Sequence, residues 1–350
     1  MRIVFITIVP SPYQKDIFKA LSVMPEVEIQ VYYLEKAAWD SPWPEKALEK
    51  YESILPGTDI NLRGTRFHFN WRIPDLTKAD FVVLNGYMGL LFQWLLRFKS
   101  RKRKFIFWGE RITDHQNGFK GFLKKKLSDA IDNCIAVAAI GMKAQREYQT
   151  RFNRIPIFNI PYHCSLNEFQ ALSLTKNNQS INLLFCGQMI KRKGLDILLK
   201  AFDFLSSRYN VVLHLVGREA DLQLMLSEVS SAGRAKIINH GFQAPDSLPE
   251  YFALADIFVL PSRYDGWGVV VNQAIGAGLP VICSDQVGAG LDLIEDGVNG
   301  FLFKSEDEGD LRAKLMKLLD DQNLVKSMAS RSRRRNLLIS HQRLGQRNGF

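Results

Sequence analysis

The sequence predicts an α/β protein of two domains with parallel sheets, and three observations carry that prediction. Short apolar runs alternate with helical patterns almost from end to end, the signature of repeated βα units. The alternation pauses at a polar stretch, Thr175 to Ser180 (TKNNQS), which reads as a linker. With 350 residues, the chain has room for two hydrophobic cores.

Taken in order, the runs Ile3 to Val9, Val27 to Tyr33, Phe81 to Leu84, Phe105 to Trp108 and Cys134 to Ala139 read as buried strands. Helical patterns near 13–22, 87–98, 118–130 and 143–152 separate them. Trp39 to Phe69 is polar and carries Pro and Gly, and it reads as a long loop region. A second series begins at Ile181, with strands at Asn182–Cys186, Val211–Val216, Lys236–Ile238, Ile257–Leu260 and Pro280–Cys283. Helices are expected near 194–207, 219–231, 247–255, 269–277 and 308–320. The boundary is placed near residue 170, giving domains 1–170 and 171–335 and a basic C-terminal tail, 336–350. Open parallel sheets bind ligands outside the carboxyl ends of their strands, so a cleft between two such sheets is the expected site.

Composition narrows the class. The chain is 46% apolar and 23% charged, ordinary values for a globular protein, and holds no run of about 20 apolar residues that would cross a membrane. The apolar start, MRIVFITIVPSPYQ, is too short for a signal peptide and reads as a first strand. Four scattered cysteines (Cys134, Cys164, Cys186, Cys283) have no metal-like spacing, so reduced core thiols in the cytoplasm are expected. Net charge is +10, unevenly spread: residues 1–165 hold 25 Lys/Arg and 16 Asp/Glu, the remainder 21 and 20. The N-terminal half therefore favours an anionic partner.

Three blocks carry chemistry. In LLFCGQMIKRKGLDILLKAF a strand ends at Gly187, Lys191-Arg192-Lys193 form a basic turn, and Gly194 opens an amphipathic helix. Cationic side chains converging on a helix entrance suit a phosphate, although a solvated basic turn has the same sequence. In DIFVLPSRYDGWGVVVNQAIGAGLPVI a strand leads through Pro261-Ser262 to Asp265-Gly266-Trp267-Gly268 and then a helix. Asp265 and Gln273 are eight residues apart, about two helical turns, so both are expected to face one pocket. The alternative is a capping turn over a buried Trp. The third block, QVGAGLDLIEDGVNGFLF, places small residues ahead of Leu291.

In this order the blocks resemble the donor-binding half of glycosyltransferase family 4, whose members have the GT-B fold of two Rossmann-like domains. Gly187, Lys193-Gly194, Pro261-Ser262, Asp265, Gln273, Gly278 and Pro280-Val281 stand at the family's motif positions, and His240-Gly241-Phe242 matches a loop before the Pro-Ser strand. The match is strong over 180–305 and weaker in the N-terminal half (IVPSPYQKDIF, FWGER, AAIGMKAQREY, IFNIPYH). Three positions depart from the family pattern: Asp265 replaces Glu, Gln273 replaces a second Glu, and Gln188 replaces Arg.

The resemblance implies retaining transfer from a nucleoside-diphosphate sugar to a glycan or lipid-linked acceptor in surface polysaccharide or lipopolysaccharide synthesis, with no metal or other cofactor required. Lys193, Arg192 and backbone N–H groups from Gly266 to Val269 would stabilise the leaving diphosphate. Asp265 and the Gly266-Trp267-Gly268 turn would hold the sugar, Gln273 the ribose, and Phe242 or its backbone the base. Glu110, just after a strand in FWGER, is the candidate acceptor-side catalytic carboxylate, with a surface helix cap as its plain alternative. His115 reads as solvated, His163 as cleft lining or hinge packing, and His68, His214 and His341 carry no case. The basic runs Arg97 to Lys104 and Lys120 to Lys126, the first after an apolar helix, suit docking on an anionic membrane face, and no nucleic-acid motif accompanies them. A catalytically weak nucleotide-sugar-binding scaffold and a GT-B sugar-nucleotide epimerase stay open as alternatives.

Overall fold

The computed structural model describes residues 1–37, 47–62, 65–99, 104–112, 119–171 and 179–345, without the side chains of 61–67, 119–120 and 336–345. His115 and the linker residues Thr175 to Asn178 fall outside these, as do Arg101 to Arg103. The chain forms two compact units, Met1–His163 and Cys164–Phe350.

The first unit runs β1 (Arg2–Thr7), α1 (Pro12–Ser22), β2 (Glu28–Tyr33), β3 (Glu52–Ile54), β4 (Gly57–Leu62), β5 (Thr65–Asn70), β6 (Phe81–Asn85), α2 (Leu90–Trp94), β7 (Phe105–Gly109), α3 (Phe119–Ser128), β8 (Ala136–Ala139), α4 (Met142–Arg151) and β9 (Ile157–Asn159). Its parallel sheet has the order β3-β2-β1-β6-β7-β8-β9. Helices cover a parallel sheet on both faces, which is why its strands are nearly continuous apolar runs: Val4, Ile6, Val82, Leu84, Phe105 and Val137 are all buried.

The second unit runs α5 (Asn167–Ala171), β10 (Ile181–Cys186), α6 (Leu195–Ser206), β11 (Val211–Val216), α7 (Leu222–Leu226), α8 (Ser231–Arg234), β12 (Ile237–Asn239), α9 (Leu248–Leu254), β13 (Ile257–Leu260), α10 (Val270–Gly276), β14 (Val281–Ser284), α11 (Gly288–Leu293), β15 (Gly300–Phe303), α12 (Glu308–Asp320) and α13 (Gln322–Gly345). The sheet order is β12-β11-β10-β13-β14-β15, all parallel. Counted within the unit this is 3-2-1-4-5-6, the doubly wound Rossmann order, whose direction reverses between β10 and β13. Both units are Rossmann-like, as the sequence predicts.

Four details differ from expectation. The region from Trp39 to Phe69 is not one loop: β3 joins the sheet edge, and β4 and β5 form an antiparallel hairpin. Its Pro and Gly hid a ribbon whose strands leave Ile60 and Phe69 about half exposed, so no apolar stripe marks it. The unit boundary lies a few residues before 170. Phe169 on α5 packs edge-on against Phe252 at 5.3 Å, and Leu166 fills the space that a side chain at Gly276 would need, so 164–171 belongs to the second unit. The single helix expected near 219–231 is two short ones, α7 and α8. The residues assigned to a tail are helical to Gly345, because α13 anchors on this unit: Met328 is buried, and the Ser332 hydroxyl donates to the Leu279 carbonyl at 2.8 Å.

No disulfide joins the four cysteines. Burial pushes the thiols of Cys134 and Cys186 up to about 12 and that of Cys283 higher, so all three stay protonated. No helix among the described residues is long and apolar enough to cross a membrane.

Candidate functional site

At the reversal point of the second sheet, β10 and β13 both deliver loops at their carboxyl ends. After β10, Gly187 leads through a tight 3₁₀ turn, Lys191–Lys193, to Gly194, which is left-handed at φ 69°. A Cβ on Gly194 would stand 1.9 Å from the Pro261 carbonyl oxygen, so only glycine lets the two loops touch. After β13, the chain runs Pro261-Ser262-Arg263-Tyr264-Asp265 before α10.

Hydrogen bonds join these loops along their length. The Arg263 N–H donates to the Arg192 carbonyl at 2.9 Å, and the Arg192 guanidinium returns a bond to the Tyr264 carbonyl at 3.0 Å. The Arg263 guanidinium takes Asp196 in a two-pronged grip, 2.7 and 2.8 Å, reaches the Lys191 carbonyl at 2.5 Å and pairs with Glu306 at 2.7 Å. Burial alone would raise the Asp196 carboxyl, but the bonds and charge of Arg263 outweigh it and hold Asp196 below the usual carboxylate range. At the end of this seam Lys193 Nζ lies 2.5 Å from Asp265 Oδ2, both side chains mostly buried. The two residues expected to act on different parts of a donor are thus paired with each other, and a ligand must share or displace that pair.

Asp265 is not on helix α10, which begins at Val270. It sits on a bridge with Val287, and its N–H donates to the Gln286 carbonyl at 3.2 Å. Helical spacing therefore does not relate it to Gln273. What the structure adds is that Gln273 is 7% exposed and its Oε1 is buried with no hydrogen-bond partner. An unpaired buried acceptor costs about 1–3 kcal/mol, so the position is primed for a donor such as a hydroxyl. Ser262 Oγ next to the seam is buried and unpartnered as well.

The Gly266-Trp267-Gly268 turn is braced from within. The Trp267 indole is fully buried and donates to Asn272 Oδ1 at 2.9 Å, while its carbonyl accepts from Ala289 N–H at 2.7 Å. The ring and carbonyl of Trp267 are therefore scaffold, as the reading of a turn over a buried Trp expects, and the expectation that the turn's backbone holds a sugar falls on its other groups. Gly268, at φ 85°, and buried Val269 follow it into α10. Phe242 follows edge strand β12. It is about one-third exposed, beside Gly241 (φ 65°), whose carbonyl takes the Gly217 N–H at 2.8 Å. Behind that loop His214 and His240 stack with ring nitrogens 3.0 Å apart, a pair that sequence spacing could not reveal. Burial, then the neighbouring His240, lowers His214 to about 4.

In the first unit the same reversal falls between β1 and β6. There Thr7, Gln14 and Asn85 bond to one another at 2.8–3.2 Å, and Asn85 also donates to the Trp108 carbonyl at 2.7 Å. Glu110 follows β7 and is exposed; its backbone carbonyl accepts the Tyr148 hydroxyl at 2.6 Å. The Tyr162 phenol is pushed up by burial first, then by the negative charge of Glu110. On the outside of this unit, Arg97 at the end of the α2 region donates to the Lys126 carbonyl at the end of α3. Phe98 and Phe122, 71% and 60% exposed, stand in these two segments among Arg97, Lys99 and Lys124 to Lys126.

Residues 167–335 match the family described as glycosyl transferases group 1. The capsular polysaccharide biosynthesis glycosyltransferase CapM of Staphylococcus aureus is 26% identical over 163 residues, 45% of this chain and 42% of that protein. The chain spans about two fifths of the length of most of the curated relatives it matches. Two solved structures share the fold over 99% of the chain: sucrose-phosphate synthase from Thermosynechococcus elongatus (TM-score 0.74, 15% identity, 99% of that chain) and HepE from Anabaena in complex with UDP (TM-score 0.69, 16% identity, 100% of that chain). The fold is GT-B, and its second unit is the part similar to group 1 glycosyl transferases.

Proposed function

We propose that this protein is a retaining glycosyltransferase that moves a sugar from a nucleoside-diphosphate donor to a glycan or lipid-linked acceptor, in the assembly of surface polysaccharide or lipopolysaccharide. The observation that carries the reading is the seam at the second sheet's reversal point, where a basic turn meets a carboxylate. The group 1 match over the same residues and the UDP in HepE support it.

In this reading the bond from the sugar's C1 to the diphosphate oxygen breaks while an acceptor hydroxyl adds to C1 on the same face. The hydroxyl's proton passes to the departing phosphate oxygen, so no enzymic nucleophile and no metal is needed. Lys193 turns from Asp265 to the developing charge, with Arg192 beside it. Asp265, released, takes a sugar hydroxyl, Gln273 Oε1 accepts from the ribose, and Phe242 borders the base. Glu110 acts on the acceptor side.

The acceptor is presented at an anionic membrane face by Phe98 and Phe122 with their basic neighbours, on the cytoplasmic side. Each such Lys or Arg is worth about 1 kcal/mol near an anionic surface. Neutralising Lys124 to Lys126 should weaken sedimentation with phosphatidylglycerol vesicles and leave transfer to a soluble acceptor unchanged; equal sedimentation at low salt contradicts this part.

The Lys193–Asp265 pair and the neutral Gln273 favour one competing reading, a binding scaffold that never turns its donor over. Incubating nucleotide sugars with and without an acceptor extract separates the readings. Released nucleoside diphosphate with a glycosylated acceptor supports transfer, an altered nucleotide sugar supports epimerisation, and saturable binding without turnover supports the scaffold.

A further inference from the structure

We infer that Arg263 is a positioning residue for Lys193, setting the geometry of the basic turn without itself touching a ligand. Four contacts converge on it. Its guanidinium grips Asp196 in the first turn of α6, holds the Lys191 carbonyl at the start of the 3₁₀ turn, and reaches Glu306 beyond β15; its N–H holds the Arg192 carbonyl. The turn between Lys191 and Lys193 is thus fixed at its first two carbonyls by one side chain and one backbone group of the same residue. Two residues further on lies Asp265, the partner of Lys193.

The chemistry of the fork matters here. A planar guanidinium can bridge a carboxylate with two parallel bonds and still aim a third N–H at a carbonyl, which an ammonium group cannot do. Both loops are short and pinned by the Gly194–Pro261 contact, so loosening the fork lets the turn pivot about that contact and moves Lys193 Nζ. Displacements of about 1 Å at a reacting centre cost up to about 10²-fold in rate.

The inference rests on the proposed reading only for its kinetic readout, so the test has two arms. The first needs no activity: amine-reactive labelling of Lys193 followed by mass spectrometry, in wild type and Arg263→Met, with Lys200 on α6 as internal reference. Labelling of Lys193 should rise several-fold in the variant while Lys200 is unchanged. Equal labelling of Lys193 overturns the inference. Should Arg263→Met unfold the unit, Arg263→Lys, which keeps a charge opposite Asp196 and drops the fork, carries the same comparison.

The second arm is a double-mutant cycle. Arg263→Lys should lower kcat about tenfold to a hundredfold with little change in donor KM. In a Lys193→Ala background it should change kcat by no more than about twofold, because the residue it acts through is gone. Additive losses would mean that Arg263 works independently of Lys193 and would overturn the positioning role. Absence of any transfer by wild type would count against the glycosyltransferase reading and leave the labelling arm to decide this one.

Discussion

The two units share a strand order around the reversal point and differ in what they place there. In the first, Thr7, Gln14 and Asn85 close a neutral network in which the amides and hydroxyl find partners among themselves and the Trp108 carbonyl. In the second, charged residues meet across a glycine contact, and Gln273 Oε1 and Ser262 Oγ remain buried without partners. Buried polar groups are normally satisfied, so these two acceptors in the segment from β13 to α10 are positions where a ligand's donors would find bonds. One topology thus carries two different sets of side chains at its reversal point. The first site suits hydrogen bonding to neutral hydroxyls, the second an anion with hydroxyls beside it.

The sharpest way to break this contrast is to remove the cation. Lys193→Ala should fold normally and lower kcat by about 10²–10³, since one preorganised donor to developing charge is worth about 3 kcal/mol. Turnover within a few-fold of wild type at saturating donor would take the second site out of diphosphate chemistry.

Gly194→Ala probes the contact between the two loops of the second unit. The left-handed backbone alone costs an alanine about 1–2 kcal/mol, and its methyl group would collide with the Pro261 carbonyl. A fall in urea midpoint is expected; an unchanged midpoint would mean that the two loops are not in contact.

Gln273→Glu sharpens the comparison from the side of the unpartnered acceptor. A carboxylate makes charge-assisted bonds to a ribose diol, about twice as strong as neutral ones, with Lys193 and Arg192 offsetting repulsion from the diphosphate. Nucleotide affinity should rise several-fold, about 1 kcal/mol. Weaker binding of Glu would take Gln273 off the ribose.

A pH slope offers a test that needs no ligand. His214 has a folded pKa near 4 against an ordinary 6.5, so the unfolded chain binds its proton more readily. Stability should therefore fall as pH drops from about 6.5 towards 4, and His214→Gln should flatten that part of the profile. Parallel profiles for the two proteins would place the slope elsewhere.

The sheets and their order of motifs were legible because buried parallel strands are apolar runs and the loops after β10 and β13 carry Gly, Pro and charge in fixed succession. Lys193, Asp265 and Gln273 were singled out through the resemblance that this succession carries, and the ion pair between the first two was not legible in it. The β4–β5 hairpin was not legible, because a ribbon with half-exposed Ile60 and Phe69 has no buried stripe to announce it. Arg263 was missed for another reason: its partner Asp196 is 67 positions away, and only the pairing of β10 with β13 brings the two together.

Calorimetric titration of the wild type and Lys193→Ala with UDP, GDP, ADP and TDP tests the central claim most directly, because a nucleoside diphosphate isolates the second site from sugar and acceptor. The account predicts that at least one of the four binds the wild type saturably, raising its melting temperature, and that the same ligand binds Lys193→Ala at least about tenfold more weakly. Binding of none of the four, or equal affinity for both proteins, would contradict it.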